Sequence, residues 1–132
     1  MHTPYLEPSI VLVVEDDATL SDVVTTALAD DGYRVLTAKN GHEAIAFMQR
    51  RPPDAIVLDL MLPQLDGWQV VRWCRTHAAT SALPIIIVTG APNALEDGNI
   101  QSLVFLEKPF DLNILLVLVE DAVSSSVATA VA

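Results

Sequence analysis

The chain has 132 residues, 52% of them hydrophobic, which suits one domain with a substantial core and is too short for two of ordinary size. A net charge of −10, with only seven basic residues and no basic stripe, argues against direct nucleic-acid binding, which needs clustered Lys and Arg. No apolar run approaches the roughly 18 residues of a membrane span, no signal-peptide pattern opens the chain, and a single cysteine forms no internal disulfide, so a cytoplasmic, non-membrane protein is expected.

After an N-terminal extension over 1–8, Ile10 to Val14 is a continuous apolar run that ends abruptly in Glu15-Asp16-Asp17. Leu20, Val23, Val24, Ala27 and Leu28 then recur at helical spacing, and Asp30-Asp31-Gly32 closes that helix with a glycine suited to a left-handed cap. Tyr33 to Ala38 reads as a second strand and Gly41 to Arg51 as a second helix, stopped by Pro52-Pro53. Ala55 to Leu58 is a third strand ending at Asp59, and the loop from Leu60 to Gly67 leads into a helix from about Trp68 to His77. Ile85 to Val88 ends in Thr89-Gly90, and Leu103 to Leu106 ends in Glu107-Lys108-Pro109. The last helix runs from about Asp111 to Val123, and 124–132 reads as a frayed helix end or disordered tail.

Strands one, three, four and five are solid apolar runs, as expected when helices cover both faces of a parallel sheet. Right-handed crossovers then give a doubly wound five-stranded α/β fold of flavodoxin-like type, order 2-1-3-4-5. In such a sheet ligands bind outside the carboxyl ends of the strands where winding reverses, here between the first and third. Those strands end in Glu15-Asp16-Asp17 and in Asp59, while the fourth and fifth add Thr89 and Lys108 along the same edge. Carboxylates about 5 Å apart repel by roughly 3 kcal/mol per pair at an effective dielectric near 20. A lysine offsets part of that, and a hard divalent cation held by oxygen ligands offsets more. An ionised aspartate is already a nucleophile for phosphoryl transfer, a reaction that needs positioning and charge neutralisation above all. Asp59 as nucleophile, Glu15 and Asp16 as metal holders, and Lys108 and Thr89 as phosphate contacts form a coherent set.

Other conspicuous residues have plainer readings. Asp17 is expected to cap the first helix, Cys74 to sit in the core, Trp68 and Trp73 to pack, and His2, His42 and His77 to be solvated.

The segments VLVVEDD, IVLDLMLPQLDG, IIIVTG and FLEKPF, in this order and spacing, resemble the response-regulator receiver family over about residues 9–123. The resemblance implies that Asp59 accepts a phosphoryl group from a histidine kinase or histidine phosphotransfer protein. It also implies that Asp16, Glu15, Asp59 and the Met61 backbone carbonyl hold Mg²⁺ or Mn²⁺. Lys108, joined to Pro109 by a cis bond, would contact the phosphoryl group, Thr89 would close on it, and Phe105 would be the aromatic that follows Thr89. Output would pass through contacts with a downstream protein: the chain is expected to be a switch that catalyses only its own phosphorylation and dephosphorylation.

Two features depart from the family pattern. The interval of 19 positions from Thr89 to Lys108 is short, and its Pro92, Gly98 and sparse apolar residues predict that the family's fourth helix is short or absent. The last helix is apolar nearly all round: Leu112, Leu115, Leu116 and Val119 make an inward stripe, yet Ile114, Val117 and Leu118 fall on the outer side. A covered outer face is expected, by a homodimer partner, another protein or the tail. Three rivals are weaker. A Mg²⁺-dependent phosphohydrolase would want a second carboxylate two residues after Asp59 and a substrate cap. A flavin or nucleotide binder would want a phosphate loop where the acids stand. A degenerate receiver that binds partners without phosphorylation is opposed by the intact acids, Thr89 and Lys108, while the reduced fourth helix favours it.

Overall fold

The computed structural model describes residues 7–90 and 103–131, with side chains described as far as Ser124. The five strands are β1 (Ile10–Val14), β2 (Arg34–Ala38), β3 (Ala55–Asp59), β4 (Ile85–Thr89) and β5 (Leu103–Glu107). They form one parallel sheet in the order β2-β1-β3-β4-β5. Four α-helices accompany it among the described residues: α1 (Ala18–Asp30), α2 (Gly41–Arg50), α3 (Gly67–Thr76) and α4 (Leu112–Val131), with a single 3₁₀ turn at Ala78–Thr80. This is the doubly wound, flavodoxin-like fold expected. The anticipated short or missing helix over 91–101 lies outside the described residues.

Alternation inside apolar strands sorts the core into two layers. Successive side chains of a strand point to opposite faces. Leu12, Val14, Ile56, Leu58, Ile85 and Ile87 therefore pack on one side with Ala44 and Met48 of α2 and Val70, Val71 and Cys74 of α3. Val11, Val13, Val57, Ile86 and Val88 pack on the other with Val24 and Leu28 of α1 and Leu115, Val119 and Val123 of α4. Each fully buried Leu, Ile or Val in these layers contributes about 1.5–3 kcal/mol through removal from water.

Local signals fix where the elements stop. Asp17 caps α1 by accepting from the Leu20 N–H at 3.1 Å, as anticipated. At the other end Gly32 takes φ +96°, the left-handed conformation that lets the Gly32 and Tyr33 amides fold back onto Ala29 and Leu28. Asn40 caps α2, and Asp66 with Gln69 forms a reciprocal capping box on α3.

One expectation changes, and one left open between two readings resolves toward helix. β5 does not share the full burial of β1, β3 and β4: Val104 and Phe105, on its opposite faces, are 40% and 41% exposed. β5 is the sheet edge, flanked by one strand rather than two, so its apolar sequence reflects less coverage than a central strand has. The last helix also continues past Val123 to Val131. Its Ser-Ser-Ser-Val-Ala-Thr-Ala-Val run contains no Gly or Pro to end it.

Cys74 is fully buried, with its Sγ 3.5 Å from the Met48 Sδ, and burial pushes the thiol up to about 11. At pH 8 its thiolate fraction is therefore on the order of 0.1%. A colorimetric thiol reagent at that pH should find no reactive thiol in the native chain and one per chain in denaturant.

Candidate phosphoacceptor site

The parallel register brings the carboxyl ends of β1, β3, β4 and β5 level, and the polar residues beyond each apolar run meet there. Asp59 closes β3, Glu15 follows β1, Thr89 closes β4 and Lys108 follows β5. Glu15, Asp59 and Thr89 are buried, at 7%, 4% and 2% exposure, whereas Asp16 is open to solvent.

Lys108 ties the edge together. Its Nζ donates to Glu15 Oε1 at 2.9 Å and to Asp59 Oδ2 at 3.0 Å. Its backbone N–H donates to the Thr89 carbonyl at 2.8 Å, which extends the β4–β5 pairing by one step and aims the side chain across the sheet. The Lys108–Pro109 bond is cis. Each acid has a backbone partner as well: Asp59 Oδ1 accepts from the Met61 N–H at 2.9 Å and Glu15 Oε2 from the Asp17 N–H at 3.2 Å. The Glu15 N–H in turn donates to the Ala38 carbonyl at 3.0 Å, anchoring the acidic turn to β2.

The charge balance is uneven. Burial raises the Glu15 pKa, and the nearby Asp59 charge adds to the rise; hydrogen bonds from Lys108 and the Asp17 amide only partly oppose it. Burial by itself would lower the Lys108 pKa, but the hydrogen bonds to Glu15 and Asp59 outweigh it and raise the value. One ammonium serves two buried carboxylates, with Asp16 close by. Carboxylate oxygens of Glu15, Asp16 and Asp59 all lie within 4.8 Å of one another. At that spacing each ionised pair repels by roughly 3 kcal/mol at an effective dielectric near 20. Hard oxygen donors converging on one point, one of them solvent-exposed, match what a small divalent cation retaining waters requires. A void of about 10 Å³ beside Glu15 and Asp59, walled by apolar residues such as Val57 and Val88, leaves room for about one water.

The loop after Asp59 is held by close backbone approach. The Gly67 N–H donates to the Leu60 carbonyl at 3.0 Å. A Cβ at Gly67 would meet Leu60 Cα at 2.6 Å and the Asp59 carbonyl oxygen at 2.7 Å, and one at Gly41 would meet the Leu65 carbonyl oxygen at 2.8 Å. Gln64 supplies the remaining turn at φ 66°. Glycine at 67 thus lets α3 begin directly against the backbone that presents Asp59.

A profile of the response regulator receiver domain matches residues 11–120. The chain belongs to the response regulator receiver family. It is similar to the response regulator MprA of Mycobacterium sp. (strain KMS), 36% identical over 114 residues that cover 83% of this chain and 48% of that protein. It is 38% identical over 79 residues to protein PilH of Pseudomonas aeruginosa, covering 60% and 65% of the two chains. Among solved structures, chemotaxis protein CheY4 of Vibrio cholerae matches with a TM-score of 0.80 and 30% identity, over 87% of this chain and 98% of that one. A response regulator receiver protein of Sinorhizobium medicae matches at 0.82 and 28%, over 91% and 98%. The chain spans between 31% and 65% of the length of the first curated relatives it matches. No helix among the described residues is long and apolar enough to cross a membrane.

Glu15, Asp16, Asp59 and Lys108 converge in this receiver, and Thr89 stands at the same edge. Met61 meets Asp59 through its amide, with its side chain turned out to solvent. Phe105 is not among the converging groups. Its ring is half-exposed on the α3 side, tilted against Trp68 with centroids 6.5 Å apart. The sequence reading missed that contact, because helix and edge strand are far apart in sequence. It also missed the pairing of Lys108 with Glu15. Trp68 and Trp73 are packing residues, as expected. His42 and His77 are exposed, though His77 stacks on Trp73 at 4.0 Å; His2 lies outside the described residues.

Replacing Gly67 with alanine should destabilise the receiver by about 1–3 kcal/mol in urea denaturation, the usual range for overpacking. Gly90→Ala, whose Cβ would meet nothing among the described residues nearer than Lys108 Cβ at 3.9 Å, should stay within about 0.5 kcal/mol of the parent.

Proposed function

We propose that this receiver accepts a phosphoryl group on Asp59 from a phosphohistidine of a histidine kinase or histidine phosphotransfer protein, and signals through contact with a downstream protein. The observation that carries the reading is the Lys108 ammonium, 3.0 Å from a buried Asp59 carboxylate beside two further acids. An Asp59 carboxylate oxygen attacks phosphorus, the phosphorus–nitrogen bond breaks, and the imidazole leaves with the electron pair. Asp59 needs no general base, since it reacts as the carboxylate.

Incoming phosphoryl oxygens need positive charge and donors. Lys108 supplies an ammonium that can exchange a carboxylate partner for a phosphoryl oxygen, and the Thr89 hydroxyl at the end of β4 supplies a neutral donor. Glu15, Asp16, Asp59 and the Met61 carbonyl would hold Mg²⁺ or Mn²⁺. The cation would neutralise charge on the transferring group. The protein's own contribution is position: Met61 and Lys108 hold the two oxygens of Asp59, and Gly67 fixes the loop behind them. Phe105, against Trp68, stands two residues before Glu107 on the strand that delivers Lys108, which suits it to follow a movement of Thr89. Activity of the domain is confined to its own phosphorylation and dephosphorylation, in the cytoplasm. The outer face of α4 is the surface for a downstream protein or for a homodimer partner.

Intact-mass measurement after incubation with acetyl phosphate and Mg²⁺ should show one phosphoryl adduct on the parent chain. None should form on Asp59→Asn or with chelator present. Lys108→Ala should phosphorylate more slowly, by about 10²-fold, as for loss of a charge-stabilising donor. An adduct that survives Asp59→Asn would sink the assignment.

A further inference from the structure

Five of the seven basic residues lie at the pole opposite the acidic edge. α2 and α3 each run from the carboxyl ends of the strands back toward the start of the next strand, so Arg50, Arg51, Arg72 and Arg75 come near the amino ends. Arg34 opens β2, level with Ile10 at the start of β1. By strand alternation it shares the face of Leu36 and Ala38, which pack with α2 and α3. Met48 Sδ of α2 lies 3.5 Å from Cys74 Sγ of α3, which keeps the two helix ends side by side. In sequence these arginines form no stripe; the fold gathers them.

The acids divide the other way. Neither α1 nor α4 carries a basic residue, and their exposed Asp30, Glu120 and Asp121 stand on the opposite face of the sheet. Within the basic pole Glu7 is held by Arg51 at 3.0 Å, and Asp54 accepts from the Ile10 N–H at 2.7 Å. Arg75 donates to the Thr80 carbonyl at 3.3 Å. Arg34, Arg50 and Arg72 are exposed and form no ion pair among the described residues. A helix C-terminus favours cations, which accounts for Arg50 and Arg75 but not for Arg34 on a strand or Arg72 a turn earlier. Beside them the half-buried Trp73 is covered by the exposed His77 ring, with centroids 4.0 Å apart. Arginine and tryptophan are the residue types that most often carry the energy of a protein contact.

Charge identifies what fits. A chain of net charge −10 repels anions over most of its surface, so an acidic partner is steered to this pole and oriented by it. A nucleic-acid strand carries charge along its whole length and would run past the arginines onto the surrounding acids. A second copy would set one strongly negative chain against another. We infer that the pole formed by Arg34, Arg50 and Arg72 docks an acidic segment of another protein, with the Trp73–His77 stack as its apolar floor. The carboxylates supply encounter rate and orientation, so binding weakens as salt rises. The inference is independent of phosphoryl transfer, because the pole shares no residue with the Asp59 site.

The test uses a short fluorescein-labelled peptide of glutamate and leucine, with a lysine–leucine twin, titrated with the full chain in anisotropy at low salt. The glutamate–leucine peptide should bind, and should lose most of its affinity by roughly 0.15 M salt, where charges screen over about 8 Å. Arg72→Glu should weaken binding about tenfold, whereas Lys39→Glu, the same charge change at the exposed carboxyl edge, should alter it less than about twofold. On the unsubstituted ¹⁵N-labelled chain, the peptide should first shift the amides of Arg50 and Arg72 and the indole of Trp73. Equal weakening by both substitutions, shifts centred elsewhere, or no binding by the parent chain would each overturn the inference. So would tighter binding of a single-stranded oligonucleotide of equal charge, or a chain that sediments as a dimer and becomes a monomer on Arg72→Glu.

Discussion

The ammonium of Lys108 lies between two buried carboxylates that would otherwise repel each other, and much of the molecule is arranged around that contact. Glu15 and Asp59 sit at the ends of neighbouring central strands, where parallel pairing leaves no distance between them. Burial strengthens their interaction by excluding water. The lysine reaches them because the Lys108 amide adds one more rung to the β4–β5 ladder. A single cation against a three-acid cluster leaves an excess of negative charge, which is why the site suits a divalent cation and then an anionic substrate.

The two packed layers hold that edge rigid. Every residue of β1, β3 and β4 is buried, so the strand ends have little freedom to move apart. On the α3 side, contact between the Gly67 backbone and the Asp59–Leu60 peptide removes the slack a side chain would introduce. Trp68, next in sequence, carries that constraint to Phe105 on the edge strand. The loop after Asp59, the start of α3 and the outer strand are therefore one connected set of contacts.

Coverage fades toward β5 and the outer face of α4. There the sequence remains as apolar as in the core, but Val104, Phe105, Ile114 and Val117 are 40–56% exposed. Exposed acids, Glu120 and Asp121, stand on α4 beside this surface.

How much of this was legible in the sequence follows from the range of each interaction. Strand cores, the helix start at Asp17, the glycine stop at Gly32 and the order of elements depend on local periodicity and capping, so the chain spells them directly. The collection of Glu15, Asp16, Asp59, Thr89 and Lys108 at one edge was legible too, because parallel strands with right-handed crossovers must place all their carboxyl ends together. The boundaries of the last helix were less so: a polar, small-residue run without breakers reads equally as tail or helix. Three things needed the tertiary structure. The partition of Lys108 between two acids depends on side-chain reach across 93 and 49 positions of sequence. The contact of Trp68 with Phe105 joins a helix to an edge strand. The exposure of β5 depends on its place at the edge of the sheet, and an apolar run looks the same in sequence whether one strand flanks it or two.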